Sequence, residues 1–266
     1  QNESFYLDIW LKDTHAKLDP DNEQLSEYSG NQYMQDTIGN FTSARRTYYS
    51  TVTEMDKQIG RLVEHIDQLG LGEKTIIIFT SDNGPESHYS KFNDYSGVGH
   101  AGPFRGMKRS LYEGGVRMPL IVRWTGNTPE GIVNNNAVIS SVDWVSTLGT
   151  LTNTGCELVE GFDCSTIDGE DMSNAILGNT QIRTKDIYLN WRFNRGPIQH
   201  PTIQVSPALS LIRGPYKFMM SMDPERRRIE AYLVNGTGVM EVDNIWNELP
   251  EDMKLQLYGN LTEWEA

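Results

Sequence analysis

The chain has 266 residues, enough for a sizeable core in one large domain or two smaller ones. Its 36 acidic residues against 23 basic ones give a formal charge of −13, which excludes broad binding to nucleic acid or to an anionic membrane surface. No apolar run approaches the roughly 20 residues that a membrane span needs, and the chain opens at Gln1 without an initiator Met or a signal peptide, as expected of a mature product or a piece of something longer.

Phe5 to Leu11 (FYLDIWL) predicts a strand, with Asp13-Thr14-His15 at its carboxyl end. Residues 16 to 40 are polar and turn-rich. From Ala44 onward Tyr48, Val52, Met55, Ile59, Leu62, Ile66 and Leu69 recur at steps of four and three, the stripe of a long amphipathic helix that Gly70 and Gly72 stop. Thr75 to Thr80 is the next strand, and a strand-helix-strand crossover predicts that the two strands are parallel. Ile76-Ile77-Ile78-Phe79 shows no polar alternation, which predicts burial on both faces of a sheet flanked by helices. Ligands gather beyond the carboxyl ends of such strands, where Asp82 and Asn83 stand.

Gly84 to Arg117 carries seven glycines and little periodicity, and a loop of that length in a compact domain is usually functional or disordered. Met118 to Trp124 predicts another buried strand and Val138 to Leu151 a helix, before an irregular, acidic connector over 152–180. Asp186–Arg192, Ala208–Arg213, Tyr216–Ser221 and Ile229–Val234 then read as short strands, and Glu251–Trp264 as a closing helix with Met253, Leu257, Leu261 and Trp264 on one stripe. The expected organisation is α/β over residues 1–180, then a small antiparallel sheet with a helix over 181–266.

Asp82 and Asn83 are hard oxygen donors of the kind that suits Ca²⁺ or Mg²⁺; the structural alternative is a turn in which both side chains satisfy backbone groups. Between Lys91 and Arg117 stand five basic residues (Lys91, Arg105, Lys108, Arg109, Arg117) and two acidic ones (Asp94, Glu113), a local balance of +3 in a chain of −13. A basic loop in an acidic protein, beside a cation site, gathers a small anion such as sulfate or phosphate. Lys108 is the natural point charge for one anionic oxygen, whereas Arg105 and Arg109 favour bidentate contacts or solvation. His15, at the end of the first strand, is suited to hydrogen-bond a substrate oxygen or pass a proton to a leaving group. His100 sits on the anion loop within reach of substrate. His65 and His200 read as structural or solvated, and His88 is open. N-x-S/T sequons at Asn2, Asn40, Asn235 and Asn260, and a closely spaced pair of cysteines (Cys156 and Cys164) suited to a local disulfide or standing as free thiols, point to a secreted or lysosomal protein.

The run SDNGP (81–85), followed by GPFRGMKRSLYEGGVRMPLIVRW (102–124), resembles the second signature region of the formylglycine-dependent sulfatases of the alkaline-phosphatase superfamily. LDIWLKDTHAKLD (7–19), YYSTVTEMDKQIGRLVEHI (48–66) and VDWVSTLGTL (142–151) are similar to their family counterparts, so the resemblance covers most of residues 4–178 and, more loosely, the small domain. It implies part of a sulfatase-like sheet sandwiched by helices. It also implies that Asp82 and Asn83 are calcium ligands, that Lys108 contacts the sulfate and its bridging oxygen, and that His15 contacts the ester as proton donor. His100 and Arg105 are then expected as substrate contacts. The family nucleophile is a formylglycine made from the first residue of Cys/Ser-x-Pro-x-Arg, and neither cysteine nor any serine of this chain begins that motif. The chain is therefore expected to be the carboxyl-terminal part of a sulfatase, with the nucleophile and the remaining metal ligands in an upstream half and a sulfated carbohydrate or other sulfate ester as substrate. The competing readings are a phosphoester or phosphonate hydrolase of the same superfamily and a secreted glycoprotein that binds sulfated glycans without turnover.

Overall fold

The computed structural model describes residues 3–29, 41–86, 95–155, 163–191, 206–221, 228–234 and 241–265. The chain forms two compact units, Gln1–Leu71 with Pro85–His100, and Gly72–Gly84 with Ala101–Ala266.

In the first unit α1 (Asn22–Ser26) opens on a capping box in which Asp21 Oδ1 accepts from Gln24 N at 2.9 Å and Gln24 Oε1 from Asp21 N at 2.8 Å. Arg46 ties α1 to α2 (Phe41–Gln68), donating to the Leu25 carbonyl at 2.7 Å and to Ser29 Oγ at 2.8 Å. The predicted stripe does form α2, which ends before Gly70 at φ 68°. Its burial concentrates in the amino-terminal half, at Ala44, Ser50 and Thr51. Residues 5–11 are not the strand the sequence predicts: Phe5, Tyr6 and Trp10 are 67%, 81% and 86% exposed, and no sheet pairing reaches the segment among the described residues. An apolar, β-prone run becomes a strand only when a neighbour satisfies its backbone, and none does so here.

The second unit begins with β1 (Ile77–Thr80), paired with β2 (Leu120–Arg123) so that Ile77 faces Arg123 and Thr80 faces Leu120. The pairing is antiparallel, which corrects the expected parallel crossover: with residues 5–11 unpaired, the partner of β1 comes from downstream. Burial on both faces is also corrected: Ile76 to Phe79 are only half-buried, and in the paired strand Leu120 is exposed and Ile121 is 60% exposed, in a sheet of two strands. The glycine-rich segment between them includes the turn of helix α3 (Glu113–Val116). The helix predicted from Val138 is shorter, a 3₁₀ turn at Ser141–Asp143 running into α4 (Trp144–Leu151). The connector that follows contains α5 (Ser173–Ile176) and is pinned by fully buried Asp143, which accepts from Ser140 N at 2.7 Å and Glu170 N at 2.8 Å and pairs with Arg183.

The closing sheet runs β3 (Ile187–Asn190), β4 (Leu209–Arg213), β5 (Tyr216–Met220), β6 (Ile229–Leu233), all antiparallel and in that spatial order. Strand alternation divides its side chains. Leu209, Leu211, Phe218 and Ala231 pack with Leu257 and Leu261 of α6 (Glu251–Glu265), each large apolar side chain contributing about 1.5–3 kcal/mol by burial. Met219 and Tyr232 turn the other way and pack with Leu111 and Tyr112 of the glycine-rich segment.

Charge is buried on that second face. Lys217, fully enclosed on β5, lies 2.9 Å from Glu113 Oε1 and 3.1 Å from Glu241 Oε1, and Glu241 Oε2 accepts the Glu113 backbone N–H at 2.6 Å. Beside them Glu230 Oε2 accepts from the Tyr112 hydroxyl at 2.8 Å and the Tyr232 hydroxyl at 2.9 Å. Burial and the Glu230 carboxylate push both phenols up, Tyr232 to about 12. Removing one partner from such a cluster leaves charge stranded away from water, so Lys217→Met should cost about 3–5 kcal/mol of unfolding free energy in urea. A variant within about 1 kcal/mol of wild type would show that the ammonium is dispensable. Burial also raises the Glu241 carboxyl above its usual 4.5, against the opposing pull of Lys217. The native state therefore holds this proton to higher pH than the unfolded chain does, and the associated stability is lost as pH climbs from 4.5 through the native value. Glu241→Gln, which cannot titrate, should flatten that part of the Tm–pH curve; an unchanged slope would assign the fall to another group.

Candidate active site

Beyond β1 the chain turns sharply through Ser81 to Gly84, with Ser81 Oγ donating to the Asn83 carbonyl at 3.0 Å and Asn83 Nδ2 to the Gly84 carbonyl at 2.9 Å. Asp82 is exposed and Asn83 half-buried. The turn is stitched to the glycine-rich loop: Gly84 N donates to the Gly115 carbonyl at 3.0 Å, and a Cβ on Gly84 would overlap the Gly114 carbonyl. Glycine is required there because two backbones touch.

The loop closes on itself, since Gly114 N donates to the Arg105 carbonyl at 2.6 Å and Gly115 N to the Tyr112 carbonyl at 2.8 Å. At its apex Ser110 N donates to the Met107 carbonyl at 3.0 Å, a β-turn with Lys108 and Arg109 at its centre. Arg109 takes φ 75°, a position where such turns normally place glycine or asparagine. A long side chain held there is uncommon and costs about 1–3 kcal/mol, a cost that concentrates at functional sites. Asp82, Asn83 and Lys108 are thus carried by one backbone-bonded frame.

Arg105 is turned into that frame. Its guanidinium lies 3.9 Å from the centre of the Tyr112 ring and donates to the Tyr232 hydroxyl at 3.1 Å and the Glu241 carbonyl at 2.8 Å. Arg117 reaches Glu113 at 3.5 Å and stands 4.7 Å over the Phe104 ring. His15 and His100 are both exposed and both belong to the first unit, whereas Asp82, Asn83, Arg105 and Lys108 belong to the second. His15 Nδ1 lies 3.1 Å from the Ala16 carbonyl; a carbonyl only accepts, so Nδ1 carries a proton and Nε2 is left to exchange one.

Asn260 sits half-buried within α6, and its amide is satisfied at both ends when its nitrogen donates to the Gln256 carbonyl at 3.0 Å and its oxygen accepts from Arg213 at 2.6 Å. A glycan on that nitrogen would compete with both bonds. Cys164 opens a 3₁₀ turn and is disulfide-bonded. Cys156, Asn2, Asn40, Asn235, His88 and His200 lie outside the described residues.

Two hard oxygen donors, Asp82 and Asn83 Oδ1, fit a calcium ion by chemistry, but calcium takes about 6–8 oxygens. Among the described residues no group of three or more His, Cys, Asp or Glu side chains converges to hold a metal. Nor is any helix of the described residues long and apolar enough to cross a membrane. Sequence reasoning counted Glu113 only as a loop charge and passed over Lys217, Glu230 and Glu241, to which Glu113 and Tyr112 of the loop are bonded. The available signal was a charged residue in each of two oily strands, Lys217 in YKFMM and Glu230 in IEAYL.

A model of the family described as Sulfatase matches residues 1–154. Human arylsulfatase A is 36% identical over 136 residues, 51% of this chain and 24% of its own length. The N-acetylgalactosamine-6-sulfatase of Canis lupus familiaris is 33% identical over 147 residues, 55% of this chain and 26% of its own length. The match therefore spans about a quarter of each of these relatives. Among solved structures, Ps i-CgsB in complex with k-i-k-neocarrahexaose superposes with a TM-score of 0.71 at 18% identity, covering 95% of this chain and 48% of its own. The PsFucS1 sulfatase from Pseudoalteromonas sp. gives a TM-score of 0.59 at 24% identity, covering 83% of this chain and 42% of its own. These structures share the α/β fold. With more than half of the chain matched by the family model, including the Asp82-Asn83 turn and the Lys108 loop, the chain belongs to the sulfatase family of the alkaline-phosphatase superfamily.

Proposed function

We propose that this chain is the carboxyl-terminal part of a sulfuric ester hydrolase that cleaves sulfate monoesters of a sulfated sugar or polysaccharide. The observation that carries the reading is the frame that joins Lys108, on its strained turn, to the Asp82-Asn83 strand end through Gly84, Gly114 and Gly115. In this reading the Lys108 ammonium faces the sulfate and stabilises the charge that grows on the bridging oxygen as the S–O bond breaks. His15, with Nδ1 held by the Ala16 carbonyl, passes a proton from Nε2 to the departing alcohol. His100 contacts the sugar, and Arg105, drawn inward, enters through the loop it anchors. Asp82 and Asn83 would hold one calcium ion together with ligands outside this chain, and a bound calcium neutralises anionic substrate oxygens. A formylglycine nucleophile is assigned to an upstream half, which we take as the partner of residues 1–266. Glycans at Asn40 and Asn235, a Cys156–Cys164 bridge, and secretion or lysosomal residence complete the reading; Asn260 joins them only if its glycan displaces the Arg213 contact.

In the complete protein Lys108→Ala should lower turnover of an aryl or sugar sulfate by at least ~10²-fold. Lys108→Arg should restore it only in part, because a planar fork does not replace a compact ammonium. Wild-type kinetics in the alanine variant would remove Lys108 from the mechanism. Residues 1–266 alone, with two of the calcium oxygens, should bind Ca²⁺ weakly in a calorimetric titration and hydrolyse no aryl sulfate. The exposed Phe5, Tyr6, Trp10 and Ile121 should drive aggregation or association with the upstream half. Tight calcium binding with steady turnover by this chain alone would overturn the half-enzyme reading.

A further inference from the structure

His15 and His100 lie far apart in the sequence, yet one hydroxyl approaches the residue before each of them. Tyr48 is half-buried on α2, and its hydroxyl lies 3.4 Å from Thr14 Oγ1, a long hydrogen bond. The same oxygen would stand 2.7 Å from a Cβ placed on Gly99, with Tyr48 Cζ at 3.3 Å and Pro85 Cβ at 3.1 Å. Gly99 has φ −57° and ψ 151°, a conformation open to any residue. Glycine is needed there for space rather than for conformation, because the tip of Tyr48 occupies the place of a side chain. One Cα step of about 3.8 Å then leads from Thr14 to His15 and from Gly99 to His100.

The platform under this contact is fixed. Ala44, Ser50 and Thr51 of α2 are buried, the 3₁₀ turn Ser96–Val98 that leads into Gly99 packs on α2, and Tyr49 meets the Tyr48 ring edge-on at 6.0 Å. Both imidazoles, by contrast, are exposed. We infer that Tyr48 is a positioning residue that gathers His15 and His100 into one two-imidazole site, so that leaving-group and sugar recognition are set by a single phenol. The catalytic use of the pair rests on the hydrolase reading; the gathering itself does not.

The test separates the two. In the full 266-residue chain, imidazole NMR signals are assigned with single His→Gln variants, and Tyr48→Phe is then introduced. The His15 and His100 signals should both move, while His65, exposed farther along α2, should not. Thr14→Val should move His15 in the same direction. Gly99→Ala, which presses against the Tyr48 hydroxyl, should disturb His15 as well as His100, and adding Tyr48→Phe should partly relieve the disturbance. If Tyr48→Phe proves unstable in a thermal melt, the Thr14 and Gly99 variants decide by the same signals. An unmoved His15 or His100 in a folded variant overturns the inference. With the upstream half present, Tyr48→Phe should lower kcat on a sulfated sugar by ~10-fold or more, the scale for a displaced catalytic group. Coupled histidines in a complete protein, upstream half included, that hydrolyses no sulfate ester would overturn the hydrolase reading and leave the positioning role standing.

Discussion

Lys217 is a cation with no access to water, held between two carboxylates. An ammonium so enclosed persists only when its partners are locked in place, and the partners belong to different parts of the chain. Glu113 comes from the glycine-rich loop and Glu241 from the segment leading to α6. The closing sheet therefore fixes the loop ionically as well as by apolar packing. The loop in turn holds its own ends together through Gly114 and Arg105, and Arg105 returns to Glu241 through its backbone carbonyl.

The same geometry accounts for the composition of the loop. Gly84, Gly114 and Gly115 stand where backbone meets backbone, so this part of the segment folds tightly without an apolar core of its own. Its bases have separate duties. Arg105 and Arg117 are turned to aromatic rings and carboxylates of the scaffold, while Lys108 occupies the apex of a turn whose second central residue bears the strain. A local charge of +3 read from sequence thus overstates what a ligand would meet.

Most elements were legible because their signals are local. The period of α2, the punctuation around β3–β6 and the stripe of α6 rest on side-chain spacing, which the chain carries whatever its surroundings. Pairing sense and burial were less legible, because they depend on neighbours. Residues 5–11 have the composition of a strand and no partner among the described residues, and β1 is as oily as a buried strand yet lies in a sheet of two. In the site, Asp82, Asn83 and Lys108 stood out by chemistry and position. Tyr48 did not, because a tyrosine on a helical stripe looks like core until its hydroxyl is found against Gly99. The inward turn of Arg105 was equally hidden, since it depends on Tyr232 and Glu241, more than a hundred residues downstream.

The two-stranded sheet carries a consequence for motion. A sheet of two strands is among the less protected structures a protein can contain, whereas β4 and β5 are flanked on both edges and covered on both faces. Amide exchange should therefore be graded across the second unit, fast at Ile77–Thr80 and slow at Leu209–Met220. The Asp82-Asn83 turn hangs from the fast end, and the Lys108 loop is moored to the slow one. A ligand that engaged both would add to the Gly84–Gly115 bond that already links them, and its binding would be felt first as quiet in β1.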